Sequence, residues 1–598
     1  MTENNCMSKI PRYLITSGDE RTWKFDRPVL FLGEWCLLYD RRHIWQGMDS
    51  IVAKPYGLGR EQKDMDHVQA RDAEKKLFPV LCDLLNEYHG NQHGERFWRI
   101  VLGHWFRRYI EVILNRLKTL EQCLETYQLT GTAAFINESY SLATCDSYSA
   151  IWAFSDDRWN NELYIRILDL LGEKRCSVEK IVKDSSEGYS FPEPLTEVTL
   201  AKKNLNRIFQ KISKVSELMV REEDAFIVNS YLPKKEELKL QLRLLQFPQL
   251  WRSPKLKLTD KPDQKLRKRL SLKIQQQASE RFYQVTSNLL FELLPVCYLE
   301  GFVDLNEKVK QLPWPKKPKL IYTANNFDTD EQFKLWTAIK VESGCKYLTG
   351  QHGNNYGTSR YMYPSIEEVT SEKFITWGWT DGLLQHTPAF IFKIKPSKDK
   401  AYDAHGGLLL IELYKPHHIS TWDGIFEFGN YFADQQKFVE KICVAPKNQI
   451  FLRMHGVYRY MRWSEEARWY DFDPNLIIDT GTLPIGDLIS KSRLVVHSYD
   501  STGILETLSQ NIPTLAFWQN GFDNLRESAK PFYQLLLDAG IVHFGAESAA
   551  MKVNEIWDDV DGWWAQKEVQ EARTKFCNRY AKVSQNPVFD LIKIFSEN

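Results

Sequence analysis

The chain has 598 residues, and its 78 Lys+Arg are matched by 78 Asp+Glu. At 43% hydrophobic and 13% aromatic it can fill large cores, which excludes disorder and a fibrous protein; its length suits about three to four domain-sized units. Zero net charge gives no global attraction to nucleic acid, and ten singly scattered cysteines exclude a disulfide scaffold or a zinc ribbon.

The opening MTENNCMSKIPRYLITSG lacks the apolar core of a signal peptide, and no apolar run reaches the roughly 18–20 residues of a membrane span. A cytoplasmic protein is expected. Arg12–Thr16 and Pro28–Leu32 read as buried strands. From His67 to about Leu129 the pattern turns helical, with Leu77, Leu81, Leu84, Phe97, Val101 and Trp105 at helical spacing. A helical insertion over about 67–300 follows from it. Trp35, at the end of the second strand, and His89, Arg96 and Trp105 of the first long helices offer an acceptor pocket, against the plainer reading of core packing. Phe226–Val228 reads as a short strand.

Arg252–Lys273 holds nine basic and two acidic residues. It reads first as an exposed loop entering a solvated helix. The alternative is a patch facing anionic lipid, and so peripheral contact with the inner face of a membrane. Few aromatics interleave it, which argues against single-stranded nucleic acid.

From Lys319 strands and helices alternate: strand Lys319–Thr323, helix Asp330–Val341, strands Cys345–Gly350 and Lys373–Trp377. After the polar linker Ser397–Gly406 a second unit starts at Leu408–Leu413. Its strands are Gln449–Arg453, Leu476–Ile478, Leu494–His497, Thr514–Phe517 and Ile541–Phe544, with helices between them and a helical tail from Val553 to Val583. Such alternation predicts parallel sheets covered on both faces. The expectation is an α/β protein with an N-terminal domain over 1–398 and a C-terminal domain over 399–598, their cleft forming the site.

Three turns at strand ends carry chemistry. In His497-Ser-Tyr-Asp-Ser-Thr-Gly-Ile-Leu-Glu506, a helix starts at Ser501 or Thr502, where free amides favour a phosphate; Glu506 would accept from a ribose diol. His497 and Ser498 begin that turn, and simple helix capping is the competing reading. In Gln351-His-Gly-Asn-Asn-Tyr-Gly357, Gly353 allows close approach of a ligand, His352 is a proton donor or acceptor, and Gln351 and Tyr356 line the cleft. In Thr323–Lys334, Asn326, Asp328 and Glu331 would share the rim with His352 if the two strands are neighbours; a carboxylate there serves as base or nucleophile, or merely caps a helix. Arg453, at a strand end, suits a donor phosphate. His417-His418 has no acidic or Cys neighbour in sequence, so no metal site is expected. No cofactor is expected either.

The blocks LGEWC, LLNEYHG, RFWRIVLGHW, NNFDTDEQFK, QHGNNYG, FITWGW and HSYDSTGILETLSQNIPTLAFW resemble a family of bacterial transferases associated with O-antigen and other surface-polysaccharide loci, over nearly the full chain. More distantly the layout resembles GT-B glycosyltransferases, including those that move 3-deoxy-octulosonic acid (Kdo) from a CMP donor with retention. That resemblance implies two Rossmann-like domains facing a cleft, a donor domain from Leu408 onward and no obligatory metal. It implies that Ser501, Thr502 and Glu506 hold the nucleotide while Asp328, Glu331 and His352 supply the reacting face. Ser371 stands where the family pattern has an acid before FITWGW, so the block Glu367–Glu372 is not assigned to catalysis. The implied function is transfer of a sugar from a nucleotide-activated donor, CMP-Kdo first, to a lipid-linked or oligosaccharide acceptor. A GT-B-fold epimerase, a polyol-phosphate transferase and a non-catalytic scaffold of polysaccharide assembly are the alternatives.

Overall fold

The computed structural model describes residues 10–57, 59–135, 139–181, 218–249, 251, 253–254, 256, 261–275, 280–394, 401–418 and 428–597. Of the basic stretch Arg252–Lys273, residues 252, 255 and 257–260 lie outside the described residues, as do 397–400 of the expected linker; the end of the basic stretch enters helix Gln264–Gln275.

The chain is α/β, with three parallel sheets. Arg12–Ile15 (β1), Val29–Phe31 (β2), Ser50–Val52 (β3), Leu129–Phe135 (β4) and Ser177–Ile181 (β5) make the first, in the order β3-β2-β1-β4-β5. Phe226–Val228 (β6), Leu320–Thr323 (β7), Lys346–Gly350 (β8), Lys373–Thr376 (β9) and His386–Pro388 (β10) make the middle sheet, wound in one direction. Gly407–Ile411 (β11), Ile450–Arg453 (β12), Ile477–Asp479 (β13), Ser492–His497 (β14), Thr514–Phe517 (β15) and Val542–His543 (β16) make the third, ordered β13-β12-β11-β14-β15-β16. The first and third sheets start at the centre and wind outward both ways, the Rossmann order, with the reversal between β1 and β4 and between β11 and β14. Both faces of the third sheet are covered, and Leu408, Leu409 and Leu410 are all 0% exposed. Each such side chain contributes about 1.5–3 kcal/mol over an exposed one.

The segment expected to be a helical insertion also holds β4, β5 and β6, so the N-terminal half carries two sheets. Its two long helices, Arg60–His89 (α1) and Glu95–Thr126 (α2), cross between β3 and β4. The buried stripe of α2, from Phe97 and Val101 to Leu117, packs on α1 and on helix Glu331–Glu342 (α4), which follows β7. Helix Asp157–Leu171 (α3) follows β4, with Asp156 as its N-cap. In the third unit, helix Thr502–Ser509 (α5) follows β14. The helical tail is made of several helices, and the last, Pro587–Ser596 (α6), returns to the middle sheet, where Phe595 packs 5.2 Å from Tyr322.

All three carboxyl edges converge. The loops after β1 and β2 and the start of α3 meet the loop after β11: Trp35 packs 5.0 Å from His418. The loop after β8 meets the start of α5. Among the described residues no helix is long and apolar enough to cross a membrane.

Candidate active site

Thr323 of β7 lies beside Thr349 of β8, so the loops leaving these strands emerge on one edge. After β7, Asp330 caps α4 by accepting from the Phe333 amide at 3.0 Å. Capping therefore falls to Asp330, and Asp328 does something else. Arg108 of α2 grips it with hydrogen bonds of 2.5 and 2.8 Å. Burial alone would raise its pKa, but the Arg108 charge and hydrogen bonds outweigh that and hold the carboxyl well below the usual carboxylate range.

Beside it stands His352. Its Nδ1 is 3.1 Å from the Tyr356 hydroxyl, which donates in turn to Glu367. The other Glu367 oxygen is 3.0 Å from His104 Nε2, and the His104 ring stacks on Phe327 at 5.2 Å. Glu367 is buried, yet its hydrogen bonds from His104 and Tyr356 and the nearby imidazoles overcome desolvation and lower its pKa to about 2. Burial moves the His352 pKa down, partly opposed by Glu367 and Asp328, so the ring is neutral at pH 7. The result is a neutral, oriented imidazole next to a fixed carboxylate.

This edge touches the third unit directly. The Asn354 amide donates to Thr502 Oγ1 at 2.9 Å, and Asn354 Nδ2 donates to Asp500 at 2.7 Å. A Cβ on Gly353 would stand 3.0 Å from Thr502 Oγ1, so the approach suits glycine. Exposed Lys393 lies 4.8 Å over the Tyr231 ring and 3.2 Å from Glu506. His352, Asp328, Gly353, Thr502 and Glu506 are thus brought to one junction.

Other candidates are committed elsewhere. Glu331 is buried and holds the Ser147 amide at 2.9 Å and Lys334 at 2.9 Å, inside the interface with the helices. Gln351 is buried, accepting from the Trp377 amide and Trp379 Nε1 at 2.9 and 2.8 Å. Asn326 bridges Asn229 and Asp330. Ser501 is the N-cap of α5 and accepts from the Ile504 amide. His497 lies in the core beneath that helix, its pKa lowered to about 3 by burial. Ser498 is buried against the Tyr431 hydroxyl at 2.7 Å. Arg453 is paired with Asp479 and donates to the Leu483 carbonyl at 2.8 Å, two strands away from β14.

The four N-terminal residues do not assemble into a pocket. Trp105 is buried on Tyr109, and Trp35 donates to the Thr16 carbonyl at 3.3 Å. His89 bonds the Tyr298 carbonyl at 3.0 Å. Arg96 pairs with Glu372 at 2.7 Å, which precedes β9 and so marks the sheet edge opposite His352. His417 and His418, set aside for want of an acidic neighbour, gain one through folding: Asp157.

Sequence reasoning missed His104, Arg108, Glu367 and Lys393. His104 and Arg108 fall on the inner face of an amphipathic helix, where polar residues interrupting the apolar stripe were the available signal. Glu367 was passed over with its block, yet it is the carboxylate around which the two histidines are arranged.

A family model described as LIC12162 family transferase matches residues 12–595. No curated protein matches the chain. Among solved structures it is similar to a Listeria monocytogenes protein assigned as UDP-N-acetylglucosamine 2-epimerase, at 11% identity and a TM-score of 0.33, covering 62% of this chain and 95% of that one. It is also similar to S. aureus MnaA, solved with UDP, at 10% identity and a TM-score of 0.32, covering 62% and 94%.

Proposed function

The chain belongs to the LIC12162 family of transferases, and from that premise we propose that it is a glycosyltransferase using a nucleotide-activated sugar, CMP-Kdo being the first donor to try, to extend a surface-polysaccharide acceptor. The observation that carries this reading is the hydrogen-bonded series His352, Tyr356, Glu367, His104 set beside the Arg108-clamped Asp328, on the edge that docks against α5. Two titratable groups there are pushed apart in role. Asp328 stays ionised and stabilises positive charge developing at the anomeric carbon as its bond to the donor phosphate breaks. Neutral His352 takes the proton from the acceptor hydroxyl as the new carbon–oxygen bond forms. Thr502 and Lys393 face the leaving phosphate, and Glu506 the ribose diol.

The test is a thermal-shift screen of the full chain against CMP, UDP, GDP and CDP, followed by a transfer assay with the best binder. A ligand at about 100 times its Kd stabilises by about 2.7 kcal/mol. One nucleotide should raise the melting temperature, and Lys393→Ala with Glu506→Gln should weaken that shift. No shift with any of the four, or conversion of the donor sugar without acceptor, rejects the reading.

A further inference from the structure

A second polar cluster lies at the junction between the first and third units, apart from the site above. Asp157, the first residue of α3, comes from the first unit; His417 and His418 come from the loop after β11. Asp157 Oδ1 is 3.2 Å from His417 Nε2 and 3.1 Å from His418 Nε2, and one atom from each of the three lies within 4.8 Å of the others. All three are buried, at 2, 2 and 1% exposure.

We propose that Asp157, His417 and His418 bind a divalent transition ion, Zn2+ foremost, that fastens the first unit to the third. Three features converge on this. Two imidazoles and one carboxylate are a zinc donor set, with a fourth position for water. Zinc–ligand bonds of about 2.0–2.1 Å at tetrahedral angles place ligand atoms about 3.3 Å apart, close to the two carboxylate–imidazole separations. Finally, His417 Nδ1 has no hydrogen-bond partner among the described residues, and Nε2 faces the Asp157 carboxylate at 3.2 Å. A buried imidazole left so is costly unless something else takes its lone pair.

The surroundings fix these donors. Arg462 holds Asp157 through Oδ2, leaving Oδ1 turned to the histidines. Trp463 packs 5.0 Å from the His417 ring and donates to the Lys415 carbonyl at 3.0 Å, anchoring the loop that carries both histidines. Such outer partners commonly tune metal affinity about 10–100-fold. The competing arrangement is a metal-free clamp in which a buried carboxylate merely bonds two imidazoles.

The experiment uses the full chain, stripped with a chelator and titrated with Co2+ and Zn2+ alone. One equivalent of Co2+ should give the strong visible bands of four- or five-coordination, and Zn2+ should displace it and raise the melting temperature. His417→Ala and His418→Ala should each abolish the bands, and Arg462→Gln should weaken binding about 10–100-fold. If a variant does not fold, Zn absorption-edge spectroscopy of the unaltered loaded chain still decides, and should show two imidazole ligands. Only weak six-coordinate Co2+ bands, or a Zn2+ shift unchanged in the double histidine variant, overturns the proposal.

Discussion

The turn after β8 and the turn after β14 start from the same ingredients: a strand end, a histidine, small polar residues and a glycine. In the first, His352 stays partly exposed and is aimed by Tyr356 and Glu367, while Gly353 lets the backbone approach Thr502. In the second, His497 is roofed by α5, and a Cβ on Gly503 would lie only 2.5 Å from its ring. Ser501 closes the helix instead of waiting for a ligand. The difference lies in what packs beside each turn. Charged side chains of α2 face the first, whereas helix and sheet enclose the second and, among the described residues, only the hydroxyls of Ser501 and Thr507 reach its ring. The two should therefore fail in opposite ways when altered.

The largest effect is expected at the first turn. His352→Ala should lower the transfer rate by about 10²–10⁴-fold with little loss of stability, since the ring is partly exposed. Its pKa lies below the usual histidine value, so the rate should rise with pH through a midpoint below about 6.5 and then level off. Glu367 holds that pKa up, so Glu367→Gln should move this acid limb to still lower pH. An unmoved limb would mean that Glu367 serves packing alone.

The second turn should show the reverse. His497→Ala should cost about 2–4 kcal/mol of stability by leaving a cavity under α5, and Gly503→Ala about 1–3 kcal/mol by overpacking against the ring. Activity per folded molecule should be unchanged in both. Because the folded pKa of His497 is near 3, the native state binds fewer protons than the unfolded one between pH 3 and 6.5. His497 therefore contributes stability that is full above about 6.5 and lost as the pH falls toward 3. His497→Ala should flatten that acid slope in denaturant titrations; an activity loss matching that of His352→Ala would erase the contrast between the turns.

How much of this was readable in advance follows from burial. Strands covered on both faces appear as unbroken apolar runs, so β11, β14 and β15 were legible from LLLIEL, RLVVH and TLAF. Edge strands divided: β6, β13 and β16 were legible as short apolar runs, whereas β3, β5 and β10 were not. β5 reads SVEKI and is largely exposed, and β10 is three residues ending in proline. β4 is central but reads LTGTAAF, because Ser177 on its neighbour leaves no room for a Cβ at Gly131. The site divides likewise. Asp328 and His352 follow apolar strands and could be found; Arg108 lies 220 residues before its partner Asp328, and His104 lies 263 before Glu367. No local pattern ties such pairs together.

The smallest effect concerns Asp500, the residue through which the two turns meet. It accepts from Asn354 Nδ2 at 2.7 Å and from the Tyr533 hydroxyl at 3.0 Å. Burial raises its pKa to about 6, only partly opposed by those hydrogen bonds. An unfolded Asp titrates near 3.9, so between about pH 4 and 6 the native state binds more protons, and stability falls as the pH rises across that window. Asn carries an oxygen for the same two donors but no charge. Asp500→Asn should therefore remove the fall, leaving the variant about 2 kcal/mol better placed relative to the parent at pH 7 than at pH 4.5 by urea unfolding. Equal destabilisation at both values would show that Asp500 sits ionised at little cost, and that the seam between the turns is open enough for water to solvate it.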